Sequence, residues 1–105
     1  MNLTFERSAH AVERMAQRNL TCQNVEYVLR YGQKVRNAGA WLYFLGKKDI
    51  PGQDRSRDDI TRLEGTGVIC DDGEGPVDLK IITVVRNKNY LQKFCRKEKY
   101  DLRKI

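Results

Sequence analysis

The amino-acid sequence predicts an α+β fold with two N-terminal helices packed on a small antiparallel sheet of three to four strands. Apolar residues recur at helical spacing only up to Gly32. Beyond it, they form short runs of β-branched and aromatic residues between turns rich in glycine and charge. The 105 residues, of which 40% are hydrophobic, correspond to a single domain, 1–105, with one modest core.

The first helix is predicted from Ser8, its N-cap, to Asn19. At 100° per residue, Val12, Met15 and Ala16 share one side. The polar residues gather about 180° away on the same helix: His10, Arg14, Gln17 and Arg18.

A second helix is predicted directly after the first. Thr21 is a suitable N-cap, and Gly32 marks the C-terminal end. Val25, Val28 and Leu29 form its apolar stripe. The short link around Leu20 makes the two helices neighbours.

Three strands are predicted after the helices. In the first, residues 35–46, the larger side chains alternate between two faces: Trp41, Tyr43 and Leu45 on one, Leu42 and Phe44 on the other. The charged segment 46–59 contains Pro51-Gly52 and predicts a long, flexible, exposed loop. The second strand is predicted within 60–71. The third, residues 77–86, is apolar on both sides in its second half and is predicted to be central.

The net charge of +6 is concentrated near the C-terminus. Eight basic residues stand against Glu98 and Asp101 in 86–105: Arg86, Lys88, Lys93, Arg96, Lys97, Lys99, Arg103 and Lys104. Such a patch predicts a polyanionic partner, most simply nucleic acid, although a solvated tail is the alternative. Tyr90, Phe94 and Tyr100 could stack on bases, or an amphipathic helix could dock Leu91 and Phe94 into the core and leave Tyr90 or Tyr100 exposed. This tail could be a helix or an edge strand. The predicted RNA-binding residues are Lys88, Tyr90, Lys93, Arg96, Lys97 and Lys99.

Several classes of protein are disfavoured. No apolar run is long enough for a membrane span, and the N-terminus has no signal-peptide core, so we expect a cytoplasmic protein that binds no membrane. Cys22, Cys70 and Cys95 form no C-x-x-C pair, and we expect them to be reduced apolar fillers. With one histidine there is no common zinc set, and neither a metal nor a cofactor is expected.

His10, Arg14 and Arg18 suit RNA cleavage without a metal. RNA supplies its own nucleophile, the 2′-OH, so the protein must move protons and stabilise negative charge on phosphorus. Histidine is the side chain suited to proton transfer near neutral pH, and arginines bind phosphate through two parallel hydrogen bonds. The alternatives are an idle surface histidine and a solvated basic face.

Two further candidates lie on the last strand. Thr83 interrupts an apolar row and could hydrogen-bond a phosphate, or be a β-branched strand residue without such a role. Arg86 ends the strand and could reach a phosphate. In a regular strand the two point to opposite faces, so only a bulge or the strand end lets both serve one site.

The segment SAHAVERMAQRNLT resembles the opening of a bacterial family, domain-of-unknown-function family 4258. Its members open with an S-x-H-A-x-x-R-M-x-x-R-x-[IL]-[ST] helix. Residues 5–32 and 79–86 are similar to the family, and the loop 46–59 departs from it. The resemblance implies a fold like that of RelE, barnase and colicin-type ribonuclease toxins, with His10, Arg14, Arg18 and Thr83 at the site. It also implies an acidic antitoxin partner.

Three functions remain open. The first is a toxin-type, metal-independent endoribonuclease, with His10 as general acid or base, Arg14 and Arg18 on the phosphate, and Thr83 and Arg86 assisting. The second is a non-catalytic nucleic-acid-binding module. The third is a protein-interaction module that uses the strand of Trp41 and Tyr43.

Overall fold

The computed structural model of the chain describes residues 4–37 and 39–95. Five strands are present in chain order: β1 Phe5–Arg7, β2 Gln33–Asn37, β3 Ala40–Leu45, β4 Thr66–Asp72 and β5 Leu79–Arg86. The helices are α1 Ala9–Gln17, α2 Cys22–Tyr31, α3 Asp58–Thr61 and the helical residues 90–95, here α4.

The strands form one mixed sheet in the order β1-β5-β4-β3-β2. The α+β class is confirmed, and β5 is an interior strand as expected. The prediction of three to four antiparallel strands is wrong. β1 pairs with β5 in parallel, through Phe5–Leu79 and Arg7–Ile81. A strand this short has no readable alternation, so the sequence could not indicate it.

The predicted strand 35–46 is a hairpin of β2 and β3. The chain turns at Gly39, which has a φ of 80°, a conformation that glycine adopts without strain. The predicted faces of β3 are confirmed. Tyr43 and Leu45 join the core under α1 and α2, whereas Leu42 and Phe44 pack with Phe94 of α4 on the other face.

Both helices begin at the predicted caps. The Ser8 hydroxyl accepts from the Ala11 N–H, and Thr21 and Asn24 form a reciprocal capping box. The stripe of α2 is buried as predicted, with Val25 and Val28 fully covered. Gly32 is the C-cap of α2.

The buried face of α1 differs from the predicted one. Ala11 and Met15 are buried, whereas Val12 is 45% exposed. The way in which α1 ends explains why Leu20, just after the helix, is buried. Asn19 has a φ of 56°, its N–H donates to the Ala16 carbonyl, and the Leu20 N–H donates to the Met15 carbonyl. This Schellman ending brings Leu20 into the core beside Met15.

The charged segment 46–59 is more structured than an exposed loop. It contains two 3₁₀ turns, Lys47–Asp49 and Gly52–Asp54, and the start of α3. Ile50 and Ile60 are buried in the core beside Leu63. Because two isolated isoleucines among many charged residues form no periodic pattern, the sequence did not indicate that they contribute to the core.

The three cysteines are free. Cys70 is buried, and burial raises the pKa of its thiol to about 12. It is therefore the apolar filler that was expected. Cys22 and Cys95 are exposed, so that prediction does not describe them.

Candidate active site

α1 is fixed to β5 at its first residue. The Ser8 N–H donates to the Ile81 carbonyl, and the Ser8 hydroxyl donates to the Ile82 carbonyl, each at 3.0 Å. Ser8 therefore ties the N-terminus of α1 to the point where β5 loses its neighbour β1. His10 follows two residues later on an anchored helix.

His10 and Arg14 form a contact on the solvent-exposed flank of α1. The Arg14 Nε donates to the His10 Nε2 at 3.4 Å, and the Arg14 Nη1 donates to the Gln17 Oε1 at 3.0 Å. Gln17 is in turn held by Glu13. His10 is exposed and Arg14 is half-buried, so the imidazole is open to a substrate while the guanidinium is held in place.

The direction of α1 determines what this flank faces. The helix starts at Ile81 and ends at Asn19, whose carbonyl accepts from Arg62, while Arg86 donates to the Arg62 carbonyl. α1 therefore runs in the direction of β5, above the half of that strand beyond Ile81.

The handedness of α1 then places His10 and Arg14. β1 lies on the outer side of β5 and stops at Arg7. Along a right-handed helix that runs in this direction, the residue just before each sheet-facing residue points to that outer side. Ala11 and Met15 face the sheet. His10 and Arg14, each one residue earlier, therefore face the outer side of β5.

α1 and β5 end close to each other, and Arg18 and Arg86 lie at these two ends. Arg18 is the exposed C-cap residue of α1. Arg86 is exposed at the end of β5, and its guanidinium donates to the carbonyl of Arg62. This hydrogen bond leaves the other N–H groups of Arg86 for a ligand.

Thr83 is not brought to this site. A bulge between Ile69 and Cys70 of β4 and their β5 partners leaves Ile82 unmatched. Thr83 consequently pairs with Ile69. Ile69 packs against Leu42, Phe44 and Phe94, here called the α4 cluster, on the sheet face opposite α1. The bulge reorients the strand, but Thr83 and Arg86 remain on opposite faces.

Arg86 opens the basic segment 86–105, and the described residues after it contact other parts of the fold. Lys88 forms an ion pair with Glu64 at 3.6 Å. Tyr90 packs in the α4 cluster with Phe94, whose buried ring docks on Leu42 and Phe44. Lys93 is exposed. Residues 90–95 are helical. Arg96, Lys97 and Lys99 lie outside the described residues, as does the rest of the tail for which a helix or an edge strand was predicted.

Arg7 is a basic residue of this region that the sequence analysis missed. It is exposed at the end of β1, directly before the Ser8 cap. Its register with Ile81 puts it on the same sheet face as α1. Only the unrecognised strand β1 could have indicated this position.

Trp41 and Tyr43 do not form the exposed patch that a protein-interaction module would need. Tyr43 is buried. Trp41 is partly buried beneath two cations, with the Lys34 Nζ at 4.2 Å and the Arg36 Cζ at 4.7 Å from the ring centroid. Its Nε1 donates to Asp72. These contacts cover the aromatic face.

A shallow groove lies along the outer face of α2. It is lined by Gln23, Glu26, Tyr27, Arg30 and Tyr31. The Tyr27 hydroxyl donates to Asp54 at 2.7 Å, and burial together with this hydrogen bond raises the pKa of Tyr27. The tyrosine thereby fastens the second 3₁₀ turn to α2, a structural role that accounts for the contact.

Residues 4–37 and 39–95 contain neither a candidate metal site nor a candidate membrane span. No group of three or more histidine, cysteine, aspartate or glutamate side chains is arranged to hold a metal ion. No helix in the same part of the chain has the length and apolar character to cross a membrane.

The fold and site define a small α+β protein with a histidine–arginine pair beside an interior strand that is partly unpaired. Residues 7–86 match the sequence profile of the family described as domain of unknown function, DUF4258. The match covers most of the 105 residues, so the chain belongs to this family. No curated protein and no solved structure gave a match. The likeness to RelE, barnase and colicin-type toxins therefore stays a prediction.

Proposed function

We propose that this protein is a small toxin-type endoribonuclease that acts in the cytoplasm without a metal ion. The observation that carries the proposal is the contact between His10 and Arg14 on the exposed flank of α1. A phosphate held by the Arg14 guanidinium would lie next to the His10 Nε2. Proton acceptor and charge stabiliser then serve the same phosphodiester.

The reaction uses the RNA's own hydroxyl as nucleophile. His10 takes the proton of the 2′-OH, the 2′ oxygen attacks phosphorus, and the bond from phosphorus to the 5′ oxygen breaks. The leaving 5′ oxygen takes a proton from water, and the hydroxide so formed takes the proton held by His10, which returns to its neutral form. The products are a 2′,3′-cyclic phosphate and a 5′-hydroxyl. Arg14 and Arg18 stabilise the charge on phosphorus, and Arg86 assists. Thr83 is omitted because it lies on the other sheet face.

RNA incubated with the protein in EDTA tests this mechanism. We expect wild-type protein to cut RNA into fragments ending in a cyclic phosphate and to leave 2′-O-methylated RNA intact. Since a proton-transfer residue contributes about 10²–10⁴ in rate, His10→Ala should lose at least a hundredfold. Lys48→Ala is the control, because it removes an exposed charged side chain from the 3₁₀ turn Lys47–Asp49, which belongs to a different element from His10. Intact RNA with wild-type protein, or equal cutting by His10→Ala, refutes the proposal.

A non-catalytic RNA-binding module is the second candidate. It is favoured by the position of Thr83, because the predicted five-residue site is incomplete on the α1 side. It predicts binding without cleavage, with log affinity falling against log salt by about 0.7 for each phosphate contact on single-stranded RNA. An affinity that salt does not change excludes it.

A further inference from the structure

We infer that the groove on the outer face of α2 binds one nucleobase of a single-stranded RNA. The base site stands on the shape and the chemistry of the groove. Its role in catalysis, which is to hold the RNA at a nucleotide some distance from the cut, rests on the proposed function.

The first observation is a pair of aromatic rings that is fixed in place. Tyr27 and Tyr31 lie four residues apart on α2, with ring centroids 4.6 Å apart and ring planes inclined by 44°. The Tyr27 hydroxyl donates to the Asp54 carboxylate at 2.7 Å, which holds the ring of Tyr27. Tyr31 packs against that ring and is still 36% exposed. A flat ligand can therefore stack on Tyr31 without first ordering the aromatic surface.

The second observation is the size and the polar lining of the groove. Its volume is about 290 Å³. Sites for larger ligands measure about 300–1,000 Å³, so this groove is suited to a single ring system. Beside the two tyrosines it is lined by Gln23, Glu26 and Arg30. Their amide, carboxylate and guanidinium groups are those that hydrogen-bond the edges of bases.

The third observation is the charge in the groove and at its N-terminal end. Glu26 and Arg30 bring opposite charges to the groove, so a neutral ring suits it better than an anion. Arg62 lies at the N-terminal end of α2, where its guanidinium donates to the Asn24 Oδ1 at 3.1 Å and to the Asn19 carbonyl at 3.4 Å. Among the described residues, Arg62 forms no ion pair with a carboxylate. It is therefore suited to the phosphate that adjoins the base.

Arg62 also connects the groove with the proposed catalytic flank. Asn19, whose carbonyl it contacts, directly follows Arg18, the C-cap residue of α1. Arg14 precedes Arg18 by about 6 Å along the helix axis. An RNA strand that leaves Arg14 can therefore pass Arg18 and Arg62. It then reaches the first turn of α2, where Gln23 begins the groove.

A nucleobase uses this groove more completely than other occupants do. A proline or apolar side chain of a partner protein would contact the rings but leave the amide and the charged groups unused. Inorganic phosphate would use Arg62 but not the rings. A base offers a flat face to Tyr31 and hydrogen-bonding groups at its edge, which is how proteins hold unpaired bases. A free nucleotide carries the same base, and the length of the ligand distinguishes it from RNA.

An NMR titration of the full chain tests the base site. The ligands are the four nucleoside 5′-monophosphates of RNA and a 2′-O-methylated RNA strand, which the proposed mechanism cannot cut. A strand of about twelve nucleotides, at ~3.4 Å each, is long enough to follow both helices. We expect the ring protons of Tyr31 to shift upfield with either ligand, because stacked rings shield each other. The strand should bind at least about tenfold more tightly than a monophosphate, since it brings several phosphates to Arg62 and Arg18.

Substitutions at Tyr31 test the stacking directly. Tyr31→Leu removes the ring and should weaken binding of the strand by about tenfold or more. Tyr31→Phe is the matched control, because it keeps the ring, and it should bind like wild type. Gln23→Ala is a second variant at an exposed helical position that alanine suits. It should reduce the difference in affinity among the four monophosphates. The amide spectrum of each variant checks the fold.

Several outcomes overturn the inference. If the Tyr31 ring protons shift with neither ligand, or if Tyr31→Leu binds the strand as tightly as Tyr31→Phe, the groove is not a base site. Equal affinity for a monophosphate and for the strand assigns the groove to a free nucleotide and overturns its assignment to RNA. Shifts caused by a proline-rich peptide but not by nucleotides make it a protein-docking groove. Base binding by a protein that leaves unmodified RNA intact refutes the proposed function, and this inference then stands.

Discussion

Replacing Thr66 with valine should stabilise the protein. Thr66 on β4 is fully buried, and its hydroxyl has no hydrogen-bond partner among the described residues. Its backbone is satisfied, since the Thr66 N–H donates to the Leu63 carbonyl. A buried hydroxyl without a partner costs about 1–3 kcal/mol, and valine has nearly the same shape. We therefore expect the free energy of unfolding to rise by about 1–2 kcal/mol.

Urea unfolding followed by circular dichroism measures this change. For a domain of this size, the corresponding rise in Tm is about 4–8 °C for each kcal/mol. Thr83→Val is the matched control, because Thr83 is only partly buried on the same sheet and should change stability by less than about 0.5 kcal/mol. Thr66→Ser keeps the hydroxyl and loses a methyl group, so it should destabilise.

The reasoning fails if Thr66→Val leaves the free energy of unfolding unchanged or lowers it while the slope against urea stays constant. That result would mean that the hydroxyl has a partner, such as an ordered water in the core. An equal gain in Thr83→Val would mean that the effect comes from strand propensity rather than from the unpaired hydroxyl.

Two further predictions concern local features. Asn19→Gly should stabilise α1 or leave it unchanged, because the left-handed φ of 56° suits glycine, whereas Asn19→Val should destabilise by about 1–2 kcal/mol; thermal unfolding of both variants decides this, and a valine variant as stable as wild type contradicts it. Hydrogen bonds from the Thr4 N–H and hydroxyl lower the pKa of Asp78, so its contribution is present at neutral pH and lost as pH falls below ~4 through the lowered value. Asp78→Asn should be less stable than wild type at neutral pH but equal to it in acid, and a stability gap independent of pH would count against this.

Local signals in the sequence correctly predicted the helices. Ser8 and Thr21 cap α1 and α2 as expected, because capping depends on residues only three positions away. The alternation in β3 likewise assigned Tyr43 and Leu42 to opposite faces. On α1, periodicity found an amphipathic helix but misplaced its buried side at Val12, since Ala11 carries too little apolar surface to indicate the core.

The features missed from the sequence depend on distant contacts. Thr4 and Asp78, which open the β1–β5 pair, are 74 positions apart. The bulge at Ile82 depends on the pairing of β4 with β5, and it moves Thr83 away from the α1 side. The contact between His10 and Arg14 lies within the helix whose face was predicted, whereas Thr83 lies on the opposite sheet face because of pairing that the sequence does not indicate.

The parallel pairing of β1 with β5 has a consequence for biosynthesis. β1 and α1 leave the ribosome well before β5, the strand with which β1 pairs. The histidine–arginine pair consequently has no sheet beneath it until residues 79–86 have emerged. A chain interrupted before residue 79 would carry the whole first helix without a folded site, so any activity of this helix must await the synthesis of β5.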